Sequence, residues 1–393
     1  MEAIRTIATK AWMVGPIAVE KEFAEKLAIP HAIFLPSARA GMAWGLEAIC
    51  GIGKRVVVPA FTCPAVHESV GRVCAHPVVV DSEADFLMNR AILADRLRDA
   101  DAVILSEVFG QAYDLTDPVF TNAPTKLFRI LDMAMTIPER SGVSRLVGQD
   151  LALFSFGVGK IMYSGWGGVA VTHDGDLAER LRRVRKERMQ SRSMFLGMRR
   201  ALMVILRAAA ARRYIYKSAR SFALWRQTSD SGENILSAGK QRKSFGDEGR
   251  NLPISRGQAA EWFMPGTSID HKITLRNISN CLEWVTRRRS LEFEYRSILG
   301  GSGGIVVPPV SSCSLSHFSV RVAAEQRDRV RRFLWERKVD TGILFQQSPY
   351  IDPGSFPFTE RLSAEVVNLP MSHSMNRGEV QYVSRTLLEA LQS

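Results

Sequence analysis

The sequence predicts an α/β protein with a mostly parallel central sheet flanked by helices, and a smaller α+β domain at the carboxy end. Three observations carry this reading. Short apolar runs rich in Val, Ile, Leu and Phe alternate with helix-like stretches through the first half of the chain. A long helical pattern then ends in Gly300-Gly301-Ser302-Gly303-Gly304, and a second set of elements follows. Finally, 393 residues at 46% hydrophobic content exceed one typical domain and supply ample apolar material for packed cores.

Taken in order, the runs 56–58, 77–81, 102–106, 127–132, 151–156 and 168–172 read as strands. They are continuously apolar, not alternating, as expected of strands covered on both faces. Residues 40–50 and 91–98 read as crossover helices between them. The pattern is helical from Asp176 to about Arg226, then polar and rich in Gly and Ser from Gln227 to Gly257, which reads as loop. A helix over about 273–299 leads to a strand at 316–322, a helix at 325–338 and a last helix at 377–391. The expected division is a large α/β domain over 1–272, carrying a basic helical insertion at about 180–257, and a smaller α+β domain over 273–393.

Composition excludes several function classes. The longest apolar stretch near the middle is far short of the roughly 20 residues that span a bilayer. The first residues lack an apolar core ahead of a small-residue cleavage site, so a cytoplasmic location is expected. Five cysteines, Cys50, Cys63, Cys74, Cys281 and Cys313, are odd in number and never form a CxxC pair. They read as thiols of a reducing compartment. The seven histidines have no metal-ligand spacing, and no metal is expected.

The net charge of +12 is local. Arg180 to Arg226 hold 15 Lys or Arg against one acid, Glu187, so the remainder of the chain is slightly acidic. No nucleic-acid-binding module accompanies this charge, and no nucleic-acid partner is expected. Two readings remain for segment 180–226: a solvated basic helix face, or peripheral contact with an anionic membrane surface at the inner leaflet.

Four local signals suggest chemistry. Ser37-Ala38-Arg39-Ala40-Gly41-Met42 places small residues at the start of a helix, where N–H groups and the helix dipole favour a phosphate. Asp132 ends an apolar strand, where open α/β sheets bind ligands, and could hold a ring nitrogen protonated or simply cap the next turn. Lys160 leaves a buried strand into a Gly-rich turn that ends in Ser164-Gly165-Trp166-Gly167-Gly168. A desolvated amine there would act as a nucleophile, whereas a solvated one would be an ordinary surface group. Ser155, five residues earlier, is placed to reach a phosphate.

Taken together, these segments resemble the DegT/DnrJ/EryC1/StrS sugar aminotransferases, enzymes of the pyridoxal 5′-phosphate (PLP) fold type I. The resemblance includes Phe23-Ala24, Ser37 to Met42, Val58-Pro59-Ala60-Phe61-Thr62, Pro77 to Asp81, Gly110-Gln111 with Asp114, Asp132, Phe154 to Gly168, and Asn368-Leu369-Pro370-Met371. The spacing Asp132, Ser155, Lys160 and Gly167-Gly168 is its most specific part. It implies that Lys160 forms the internal aldimine with PLP and shuttles the proton, and that Asp132 pairs with the pyridinium nitrogen. Ser155, with the backbone at Ala38 and Arg39, would hold the phosphate, and Cys63 would lie against the ring face.

The resemblance further implies glutamate as amino donor, a keto-sugar acceptor linked to a nucleotide diphosphate, and a homodimer. Lys160 argues against the family's dehydratase branch, where a histidine takes that place. Arg39 stands where Thr is common, and its guanidinium could bind phosphate bidentately. Cys63 replaces an aromatic, Met135 a Gln or His, and Trp166 the Glu of a Gly-Glu-Gly-Gly turn. Thr267 falls near where the partner subunit's Asn reaches the phosphate. These departures keep a second function in view, a catalytically weak family member acting as a binding or regulatory protein.

Overall fold

The computed structural model describes residues 14–49, 53–157, 159–190, 260–345, 348 and 350–393, with the single positions 198, 202 and 206. The expected loop at 227–257 and most of the basic segment beyond Gln190 lie outside the described residues.

Among the described residues, the large domain runs through α1 (Pro16–Leu27), β1 (His31–Leu35), α2 (Ala38–Ile49) and β2 (Arg55–Pro59). It continues through α3 (Pro64–Arg72), β3 (His76–Val80), α4 (Arg90–Leu97), β4 (Ala102–Ser106) and α5 (Pro118–Thr121). Then come β5 (Phe128–Asp132), α6 (Arg140–Val143), β6 (Leu151–Ser155), β7 (Gly168–Thr172), α7 (Gly175–Arg188) and α8 (Ala260–Phe263).

Seven strands form one sheet in the order β1-β7-β6-β5-β4-β2-β3. Strands β2 to β6 run parallel, whereas β7 is antiparallel to both β6 and β1. Between β2 and β4 the strand order reverses, because β3 lies on one side of β2 and the chain then returns to the other. Such a switch point opens a crevice at the carboxyl ends of the strands.

Both sheet faces are covered, which explains the continuously apolar strands. Val57, Val103, Leu105, Leu131, Phe154 and Val169 belong to one core with Val19, Phe23 and Leu27 of α1. Val56, Ile104, Ile130 and Leu153 belong to the other, with Trp44 of α2 and Val66 of α3.

One helix, α9 (Ser268–Leu299), runs through both domains. Ile278, Cys281 and Val285 enter the large-domain core, whereas Leu291, Tyr295 and Leu299 enter the small one. The helix begins before Ile273, where the sequence pattern placed it, because Thr267 and Asp270 close a capping box there. The small domain adds β8 (Phe318–Arg321), α10 (Ala324–Glu336), α11 (Pro357–Glu365), β9 (Val366–Leu369) and α12 (Arg377–Gln392). Its sheet is the antiparallel pair β8–β9, with Phe318 opposite Leu369. Among the described residues, no helix is long and apolar enough to cross a membrane.

Candidate active site

Asp132 is the last residue of β5, two strands from the switch-point strand β2. Its carboxyl is buried, and Oδ1 accepts a hydrogen bond from the Ala134 N–H at 3.1 Å. Burial pushes its pKa up, while the Lys160 charge and the Ala134 N–H pull it down. A buried carboxylate with so few donors of its own is suited to receive one more from a ligand.

At the far side of the same end, β1, β7 and β6 bring Leu35, Gly168 and Ser155 into one row. A side chain on Gly168 would meet Ala38 N and the Phe154 carbonyl, each at 2.7 Å. The absent Cβ therefore lets the first turn of α2 descend onto the sheet beside Ser155. Within that turn Ser37 Oγ accepts from the Ala40 N–H at 3.1 Å, holding the helix entrance in shape. A helix start of this kind offers N–H groups to an anion, and the half-buried Ser155 hydroxyl stands alongside.

Lys160 follows β6 in a turn whose bends rest on Gly159, Gly165 and Gly167, all at positive φ. The lysine is half-buried, and its backbone N–H donates to the Gly157 carbonyl at 3.3 Å. Its charge acts on Asp132 and also on His317, at the entrance to β8. Burial pushes the His317 imidazole down to about 4, and the Arg288 and Lys160 cations act in the same sense. Arg288 of α9 donates to the Leu315 and Ser316 carbonyls at 3.0 and 2.9 Å, so α9 fixes the segment that carries His317. Sequence reading did not single out His317, because only the folded chain sets a small-domain loop beside the Lys160 turn.

The other expected residues divide. Cys63 is half-buried and caps α3 at the end of β2, where Thr62 Oγ1 donates to Ser106 Oγ at 2.8 Å across the switch point. Met135 is buried with Phe61, Phe86 and Phe109 in an apolar cluster. Arg39 lies in the first turn of α2, and its guanidinium pairs with Glu68 at 3.8 Å and lies 5.9 Å from the Trp262 ring centroid. Trp166 turns its indole N–H to the Met264 carbonyl at 2.9 Å. Thr267 Oγ accepts from Asp270 N at 3.3 Å as the cap of α9.

A strand-end carboxylate, a lysine acting on it, and a helix entrance lowered onto the sheet fit a phosphorylated aromatic cofactor. The fold they stand on is that of the fold-type I aminotransferases. The chain belongs to the DegT/DnrJ/EryC1/StrS aminotransferase family, whose profile it matches over residues 2–203 and 267–388. It is 26% identical to the erythromycin biosynthesis sensory transduction protein EryC1 of Saccharopolyspora erythraea, over 98% of this chain and 93% of that one. It is also 26% identical to the dTDP-3-amino-3,4,6-trideoxy-alpha-D-glucose transaminase of Streptomyces venezuelae, over 95% and 86%. Among solved structures, it resembles S. venezuelae DesV in complex with a ketimine intermediate, with TM-score 0.67, 22% identity and coverage of 98% and 92%.

Proposed function

We propose that this protein is a PLP-dependent transaminase that moves an amino group from glutamate to a keto-sugar linked to a nucleotide diphosphate. It works as a cytoplasmic homodimer serving polysaccharide or glycoconjugate assembly. The observation that carries this reading is the placing of Lys160 where its charge acts on the buried Asp132, beside the helix entrance that Gly168 admits. The transaminase relative that acts on a dTDP-sugar supports the substrate class.

When bound, PLP supplies a ring that accepts the electron pair released at the carbon losing its proton. The chain's own residues do the rest. Asp132 accepts the hydrogen bond of the ring nitrogen and keeps it protonated. Ser155 and the backbone N–H groups of Ala38 and Arg39 hold the phosphate. Cys63 would lie against the ring, and the Lys160 amine would take and return the proton that moves during transfer.

The test is direct. Purified protein given PLP should show a visible absorbance band that borohydride abolishes, and glutamate with a dTDP-keto-sugar should then turn over. A band without turnover on any such pair favours the binding or regulatory reading, which the apolar Met135 and the turned-away Trp166 support. No band at all refutes the PLP assignment.

We also propose that the basic segment touches anionic membrane. Supporting this, α7 exposes Arg180, Arg183, Lys186 and Arg188. Met198, Leu202 and Leu206 recur every fourth residue with more than half their surface exposed. Co-sedimentation with anionic liposomes at low salt, released by added salt, is the expected result. Protein that ignores such liposomes leaves a solvated basic face.

A further inference from the structure

Strands β4 and β5 end side by side, with Ser106 opposite Asp132, and Glu107 is the first residue beyond β4. The Glu107 N–H donates to the Asp132 carbonyl at 3.0 Å, which ties the ends of the two adjacent strands together at the two acidic residues. The Glu107 side chain is fully shielded from solvent. One of its oxygens accepts from Arg145 Nη2, and the other lies 3.9 Å from Cys313 Sγ. Arg145, just beyond α6, is held at its other nitrogens too. Its Nε donates to the Gly142 carbonyl at 2.8 Å and its Nη1 to the Tyr113 carbonyl at 2.5 Å.

A buried ion pair seldom repays its desolvation, and apolar side chains of similar volume usually serve stability as well or better. This pair moreover sets a second carboxylate behind one assigned to catalysis, where like charges hinder each other's ionisation. Perturbed acids gather at functional sites for this kind of reason.

We propose that Glu107, held by Arg145, is a positioning residue that sets the charge Asp132 presents to the ring nitrogen of the cofactor; this rests on the PLP assignment above. Ionised, Glu107 adds a negative charge behind Asp132 and strengthens its hold on the ring-nitrogen proton. Protonated, it leaves the Arg145 cation uncompensated and weakens that hold.

The groups facing Glu107 are Asp132 on β5, Arg145 beyond α6 and Cys313 in the loop before β8, with Lys160 acting on Asp132 from the turn after β6. Tyr113 offers Arg145 its carbonyl, while its phenol accepts from the Met88 N–H at 3.1 Å. Burial and the Asp132 charge push Glu107 up to about 7 against the pull of Arg145, so its charge changes within the working range of pH. Burial pushes the Cys313 pKa far up, which keeps it a thiol.

The experiment follows the visible band of the PLP-loaded protein from acid to alkaline pH in wild type, Glu107→Gln, Arg145→Met and Arg145→Lys. Each is loaded in parallel with a carbocyclic PLP analogue that has carbon in place of the ring nitrogen. With PLP, the midpoint of the band should be displaced in Glu107→Gln and displaced in the same sense in Arg145→Met. Arg145→Met deletes an opposite charge, an effect of about one unit or more on Glu107, and so leaves that acid neutral. Arg145→Lys should return toward wild type. With the analogue, all four should coincide, because no ring-nitrogen proton is present to be held. Equal midpoints with PLP, or equal displacements with both cofactors, would reduce the pair to a structural brace and overturn the proposal. Absence of any band in wild type would instead remove the PLP assignment on which it rests.

Discussion

At the scale of single residues, Lys160 is the sharpest point of attack. Lys160→Ala should fold and lose transamination by at least about 100-fold, the contribution of a group that moves a proton. Loss of the borohydride-sensitive band should accompany it, and a variant that turns over at the wild-type rate would remove Lys160 from its assigned role. For Asp132→Asn, turnover should fall much more than cofactor affinity, because the charge matters most as electrons enter the ring. Gly168→Ala tests the helix entrance. Its new Cβ would press on backbone at 2.7 Å, so a stability loss of about 1–3 kcal/mol and weakened PLP binding are expected. Denaturant titration and cofactor titration check the two effects.

The places of Asp132 and Lys160 in the fold were legible because each ends or leaves an apolar strand, a context that sequence displays. Glu107 was not, although it also follows a strand. Its meaning depends on β4 lying next to β5, and neighbour order in a sheet is not written in either strand. The neighbours of the Arg39 guanidinium were hidden for a related reason, since Glu68 and Trp262 approach it from distant parts of the chain.

At the scale of elements, strands buried on both faces were readable from apolar runs, and β4 and β7 have the predicted bounds. Among the elements that were missed, the boundary between α11 and β9 lacks punctuation. The last residue of α11, Glu365, is followed directly by Val366 of β9, with no turn residue between helix and strand. The run His31–Leu35 is too short for periodicity to decide, and its pairing with β7 makes it a strand. The start of α9 was in plain view as Thr267-x-x-Asp270, a capping signature. Thr267→Ala should cost about 1 kcal/mol, measured by chemical unfolding. An unchanged midpoint would show that α9 is held by its packing alone.

At the scale of the whole molecule, two buried groups tilt stability against pH in opposite directions. Burial pushes His67 down from 6.5 to about 4, so the unfolded chain takes up the proton first and stability is lost as pH falls through that window. At 1.36 kcal/mol per unit the loss is about 3 kcal/mol. Glu107 is raised from 4.5 to about 7, and its contribution is lost as pH rises through that range. Urea unfolding of His67→Gln should therefore show a flatter dependence on the acid side than wild type. A curve parallel to that of wild type would show that the imidazole is protonated in the folded protein. Light scattering at micromolar concentration should report a dimer, the commonest closed assembly of soluble chains. A fully active monomer would contradict the proposed assembly.

The continuity of α9 bears on how this protein can be recombined with its relatives. Because one 32-residue helix contributes side chains to both cores, the two domains share a structural member and not a tether. A chimera spliced between residues 272 and 273 would import nearly the whole helix and set foreign Ile278, Cys281 and Val285 positions against the resident large-domain core. The junction that respects both cores lies inside the helix, between Val285 and Leu291, where no loop marks it. Exchange of small domains, and with it the His317 loop, therefore requires a cut in the middle of regular structure, so this scaffold accepts point changes more readily than shuffled modules.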